Sequence, residues 1–167
     1  MEVCNKAFTD LGISKQMTFD EAKVVLNRYR VTFSKVNKIL EDAVKDAKVK
    51  HYALSPLDGR RRYLHIDWSD PAMVAHAGNI AKNMLCQAVN ASVTKRALVN
   101  IRKRIKENNY DAKIINTVHD EIEVEVLESQ AQDLAKIVEQ EFILAGKYYL
   151  KKVPVSTEVI ISDKWEK

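Results

Sequence analysis

Glycine and proline are scarce in this chain, at four and three of 167 residues. No glycine-rich phosphate loop of the Walker or dinucleotide type is present, which argues against those nucleotide folds. The two cysteines, Cys4 and Cys86, lie far apart and match no metal-binding spacing. They read as free thiols in a reducing compartment, the cytoplasm. The four histidines, His51, His65, His76 and His119, form no zinc-ligand pattern. No long apolar run and no secretory signal are seen, so no membrane partner is expected. Repeats, low-complexity linkers and obvious domain boundaries are also missing. Net charge is small: 27 Lys and Arg against 23 Asp and Glu leave +4. That balance permits a nucleic-acid partner without demanding one.

What is there reads as a mixture of helices and short strands. Thr18, with Glu21 three residues on, forms a capping box. It opens a helix predicted over 19–48, with a bend or break near 32–34. Apolar residues from Ala22 to Ala43 recur at close to the helical period. Segments 51–54 and 63–66 read as two strands. Between them, Ser55-Pro56-Leu57-Asp58-Gly59 is turn chemistry, followed by Arg60-Arg61-Arg62. A hairpin with three arginines at its tip suits a phosphate, or is simply a solvated turn. Asp70 and Pro71 start a helical stretch to about residue 108, possible interruptions included. Strands follow on either side of His119-Asp120. A helix is expected over 129–145 with Gly146 ending it, then a last strand over 153–161. The fold class this implies is α+β, helices packed on a small antiparallel sheet.

Three constellations carry chemistry. The first is Thr117-Val118-His119-Asp120-Glu121-Ile122 and its continuation to Val126. Strict alternation sends Ile122, Val124 and Val126 to one face and Glu121, Glu123 and Glu125 to the other. A carboxylate held at a tight turn on a sheet is how metal-assisted phosphoryl transfer places a ligand. On the triplet alone, an acidic, solvated hairpin is the simpler reading. The second is an amide row, Asn79, Asn83 and Gln87 at i, i+4 and i+8, roughly continued by Asn90 and Thr94. Either these amides cap backbone groups inside a core, or they donate to minor-groove acceptors, which every base pair presents in similar positions. The third is a basic segment, Lys95, Arg96, Arg102, Lys103, Arg104 and Lys106, a solvated face or a phosphate contact.

The order of these parts resembles the C-terminal part of family A DNA polymerases, the type of bacterial DNA polymerase I and many phage replicative enzymes. Four pieces carry the likeness. Leu57 to Leu64 resembles the family's Gly-Arg-Arg segment. Asn83 to Ala88, with Ala91 and Lys95, resembles its Asn-x-x-x-Gln-Gly helix. Val118 to Ile122, with Glu125, resembles its third polymerase motif. Val153-Pro154-Val155 and Trp165 resemble its C-terminal strand and final tryptophan. The match runs from about Ala7 to the end.

The resemblance implies a palm that binds two Mg²⁺ ions through aspartates from two separated motifs, acting on primer-template DNA and deoxynucleoside triphosphates. Asp120 then matches a metal ligand, Glu121 an adjacent carboxylate, and His119 a residue near the primer 3′ end. Asn83 and Gln87 match minor-groove contacts, Arg60 and Arg61 a basic segment, and Lys95 a DNA contact on the same helix. Asn79 stands where the family often has a template-contacting Arg, Ala88 where it has Gly, and Ser92 where it has Asp. On this reading residues 1–167 are one incomplete unit. Residues 1–50 are fingers-derived helices and 51–167 a palm-derived region with the His-Asp hairpin. The motif with the first catalytic aspartate would lie upstream. The expected partner is therefore an upstream polymerase chain or a second copy, and the chain alone is expected to be inactive. Two other classes compete. One is a non-catalytic nucleic-acid-binding module derived from such a polymerase. The other is a His-Asp metal hydrolase, disfavoured because His119-Asp120 is flanked by strand patterns rather than helices.

Overall fold

A computed structural model describes residues 17–164. Helix α1 (Phe19–Thr32) begins at the expected capping box: Glu21 N–H donates to Thr18 Oγ1 at 3.3 Å, and Thr18 N–H donates to Glu21 Oε2 at 2.9 Å. Phe33 then leaves helical geometry and α2 (Ser34–Lys50) starts, so the expected helix does break near 32–34. His51, left-handed at φ 58°, closes α2 and turns the chain into β1 (Tyr52–Leu54).

β1 pairs antiparallel with β2 (Arg61–Tyr63), with Tyr52 opposite Tyr63 and Leu54 opposite Arg61. The second strand is therefore earlier than the 63–66 expected. Ser55 N–H bonds Arg60 O at 2.9 Å and closes the turn early, while Leu64 leaves the ribbon to be buried. Arg61 and Arg62 consequently lie within the strand, not at a tip.

The long helix α3 (Pro71–Glu107) runs uninterrupted for 37 residues, capped by Asp70, whose Oδ1 accepts from Ala72 N–H at 2.8 Å. It is the spine of the fold. Its N-terminal half buries Ala77 and Ala81 against Ala47 of α2, Ala53 of β1 and Leu64. Small residues let α2 approach closely here; a Cβ on Gly78 would sit 3.3 Å from Val44. Its C-terminal half buries Val93, Ala97, Ile101 and Ile105 with Leu134 and Ala145 of α4 (Glu128–Tyr149). The hairpin of β3 (Ala112–Val118) and β4 (Glu121–Val126) lays Ile114, Ile122, Val124 and Val126 on this second core, as the alternation required. A register shift between Ile114 and Asn116 leaves Ile115 as a bulged, exposed residue. Two helix pairs on two short antiparallel ribbons make the fold α+β, as expected.

Two further expectations fail. Gly146 does not end its helix: α4 continues to Tyr149, and Gly146 is buried beneath Val155, where a Cβ would meet Val155 Cγ1 at 2.5 Å. The glycine answers a close approach, not a cap. The segment 153–161 is not a strand: it pairs with neither ribbon. The apolar period of α1 marks no core either: α1 has no buried residue, and Phe19 and Val31 are 62% and 77% exposed. Gly12 and Trp165 lie outside the described residues. No helix among the described residues is long and apolar enough to cross a membrane.

Candidate nucleic-acid interface and carboxylate turn

Pairing of Val118 with Glu121 leaves His119 and Asp120 as a two-residue turn at the end of the β3–β4 ribbon. His119 takes the left-handed conformation at φ 54°, which the tightness of such a turn demands of its first residue. Thr117 Oγ1 donates to Glu121 O at 3.0 Å and Asn116 Oδ1 accepts from Thr117 N–H at 2.9 Å, bracing the strand ends. His119, Asp120 and Glu121 are all exposed, and among the described residues neither carboxylate has an ion-pair partner. Two adjacent hard oxygen donors suit Mg²⁺ better than a soft metal. Yet no group of three or more His, Cys, Asp or Glu side chains converges among the described residues. The donor chemistry fits one edge of a two-metal site and not the whole of it.

On α3 the ambiguity of the amide row resolves. Asn79, Asn83, Gln87 and Asn90 are exposed, so they are not core amides. The side chains of Asn79, Asn83 and Gln87 make no hydrogen bond among the described residues, and from the first to the last they run about 12 Å along the axis. Thr94 departs from the row: it is buried and its Oγ1 donates to Asn90 O at 3.2 Å.

Arg60 is held where the row meets the first ribbon. Its Nε bonds Asp58 Oδ2 at 2.8 Å, and its Nη2 donates to Ser92 Oγ and to the carbonyl of Ala88 on α3. Ser92 Oγ in turn donates to Asp58 Oδ2. Burial alone would raise the Asp58 pKa. Hydrogen bonding from Ser55, Ser92 and Arg60 outweighs it and holds the carboxyl far below the usual range. Ser55 Oγ itself is buried and does not reach full hydrogen-bond geometry, so the Ser92 and Arg60 bonds carry the firmer part of that effect. Arg60 thus pins the ribbon's turn to α3 just past Gln87 and is less a free phosphate ligand than a strut. Asp58 escaped sequence reasoning because Asp-Gly reads as turn chemistry. The signal was a carboxylate two residues before an arginine, together with a hydroxyl at position 92.

Arg61 remains on the surface, its guanidinium carbon 5.0 Å from the Tyr52 ring centroid. The basic run on α3 divides. Arg96 lies 3.5 Å over the Tyr148 ring, and Arg104 Nε sits 3.3 Å from Glu141 Oε1 without aligning a hydrogen bond; both staple α3 to α4. Lys103 pairs with Glu107 at 3.7 Å. Lys95, Arg102 and Lys106 are exposed and unpaired among the described residues.

Comparison with known proteins meets this geometry from outside. The chain is 30% identical over 161 residues to DNA polymerase I of Aquifex aeolicus, covering 96% of this chain and 26% of that one. It is 29% identical over 148 residues to the thermostable DNA polymerase I of Thermus aquaticus, covering 88% and 17%. Among solved structures it superposes on the POL domain of Pol1 from M. smegmatis, in complex with DNA primer-template and dNTP. There the TM-score is 0.69 and the identity 32%, covering 83% of this chain and 24% of that one. The chain therefore spans about a quarter or less of the length of these relatives. The model of DNA polymerase family A matches residues 7–167, nearly the whole chain, and this protein belongs to that family.

Proposed function

We propose that this chain is the duplex-gripping, carboxylate-bearing C-terminal portion of a template-directed DNA polymerase. The observation that carries this reading is the exposed, unpartnered amide row of Asn79, Asn83 and Gln87 on a helix whose other faces are spoken for. Amides that no neighbour satisfies, spaced along about 12 Å, are suited to the acceptors of a base-paired minor groove, and donate without reading sequence. Lys95 and Arg61 add exposed positive charge for phosphates.

In this reading residues 1–50 derive from the fingers and 51–167 from the palm. Asp120 and Glu121 would hold Mg²⁺, which supplies activation of a primer hydroxyl and stabilisation of the leaving pyrophosphate. His119 stands next to the primer end. Two adjacent carboxylates cannot hold two metals, so the second ligand set comes from polymerase sequence outside the matched stretch. The chain alone is then inactive in nucleotide transfer, and its exposed apolar α1 is available to a partner polymerase chain or a second copy.

The test is a tagged pull-down from the native source, with Mg²⁺-dependent primer extension measured on the eluate. The expected outcome is extension through a co-purifying larger chain, abolished by Asp120→Ala. The alternative, a binding module without catalytic part, predicts that Asp120→Ala leaves extension by the complex untouched. Primer extension by the purified chain alone would refute the incomplete-site reading.

A further inference from the structure

The outer face of the β1–β2 ribbon carries a row of which the amide-row reading uses only Arg61. Strand alternation puts Arg61 and Tyr63 on one side of β2 and Arg62 on the other; past the strand's end Leu64 is buried and the exposed His65 ring lies beside Tyr63. Tyr52 joins them from β1 as the cross-strand partner of Tyr63, ring centroids 5.8 Å apart and edge-on. Tyr63 and His65 lie nearly parallel at 6.3 Å, and Arg61 sits over Tyr52. A cross-strand tyrosine pair would help hold a short ribbon together. That role does not require the continuation of the row into His65, nor Tyr63 remaining 59% exposed. Tyr63 also lines an open groove of about 590 Å³ together with Trp68, which is stacked on His51 at 4.5 Å.

We propose that this face binds an unpaired nucleic-acid strand, with bases stacking on Tyr63 and in the groove lined by Trp68 and phosphates lying toward Arg61. Aromatic rings interleaved with arginines are the elements that hold single strands without regard to sequence. Charge orients the strand. Arg61 has no ion-pair partner among the described residues, whereas Asp67 lines the groove. Asp67, whose carboxylate accepts from the Ser69 hydroxyl and N–H, is negatively charged and repels phosphate. This inference shares only Arg61 with the amide-row reading and needs none of Asn79, Asn83 or Gln87.

The test is fluorescence anisotropy of the full chain with three labelled probes at one fixed salt concentration. These are a short oligothymidylate, the same oligomer with abasic sites, and a blunt hairpin duplex. Tyr63→Thr keeps strand propensity and removes the ring; Tyr63→Phe keeps the ring. The expected result is a loss of about tenfold in oligothymidylate affinity for Tyr63→Thr and little change for Tyr63→Phe. Both should bind the abasic oligomer and the duplex as the parent does. Unchanged oligothymidylate binding by Tyr63→Thr overturns the proposal. So does an equal loss on all three probes, which would mean charge or folding, or a Tyr63→Phe variant as weak as Tyr63→Thr. Asn83→Ala and Gln87→Ala, read on the duplex, fail or succeed independently and report on the amide row instead.

Discussion

Removing the hydroxyl of Ser92 should loosen the strut that ties the first ribbon to α3. Ser92 is 6% exposed and mediates between two charges: its Oγ accepts from Arg60 and donates to Asp58. Ser92→Ala leaves the Arg60–Asp58 pair, with side chains 37% and 21% exposed, to hold itself. Hydrogen bonds to charged groups are worth about 1.5–3 kcal/mol, so a loss of about 2 kcal/mol is expected. For a chain of this size that lowers Tm by about 4–8 °C. The pH dependence has a definite sign. The folded Asp58 carboxyl is depressed below its ordinary value of 3.8, so its contribution is fully present above that value and fades as pH falls below it. The Tm difference between parent and Ser92→Ala should therefore be full near neutrality and shrink below about pH 4. Thermal melts followed by circular dichroism across that range would show it. A Ser92→Ala Tm equal to the parent's at neutral pH, or a gap that widens in acid, refutes the strut.

Two further outcomes are expected. Asn83→Ala and Gln87→Ala sit on an exposed face, so stability should change by no more than about 0.5 kcal/mol. Duplex affinity should fall several-fold with no change in sequence preference, measured by titration against duplexes of different composition. Unchanged affinity would return the amides to simple solvation. Gly146→Ala should destabilise by about 1 kcal/mol, overpacking against Val155 outweighing the helix propensity gained. Adding Val155→Ala should recover stability relative to the single Gly146→Ala variant in denaturant melts, whereas additive losses would show that the two sites do not touch.

Wherever a rule acts over a few residues, the chain's own order was enough. The Thr18–Glu21 capping box, the break after Thr32, the start of α3 at Asp70-Pro71 and the alternation that turns Ile122, Val124 and Val126 inward all follow from neighbours three or four positions apart. The two-residue turn at His119-Asp120 was legible for the same reason, since strand patterns on both sides leave nothing else to close the hairpin. Contacts from far along the chain decided the rest. Gly146 resembles a helix stop until Val155 arrives on top of it. The segment 153–161 has the composition of a strand but pairs with neither ribbon. Arg60 reads as a turn cation, but Ala88 and Ser92, some thirty residues later, fold it back onto α3. The amide row could have been core or surface, because helical period reports which residues share a face and not what comes to cover it. In α1 that period is just as clear and the face stays open. Periodicity is a property of neighbours along the chain, whereas burial depends on which distant segment packs there, and that is where the exposed amides and the arginine strut came from.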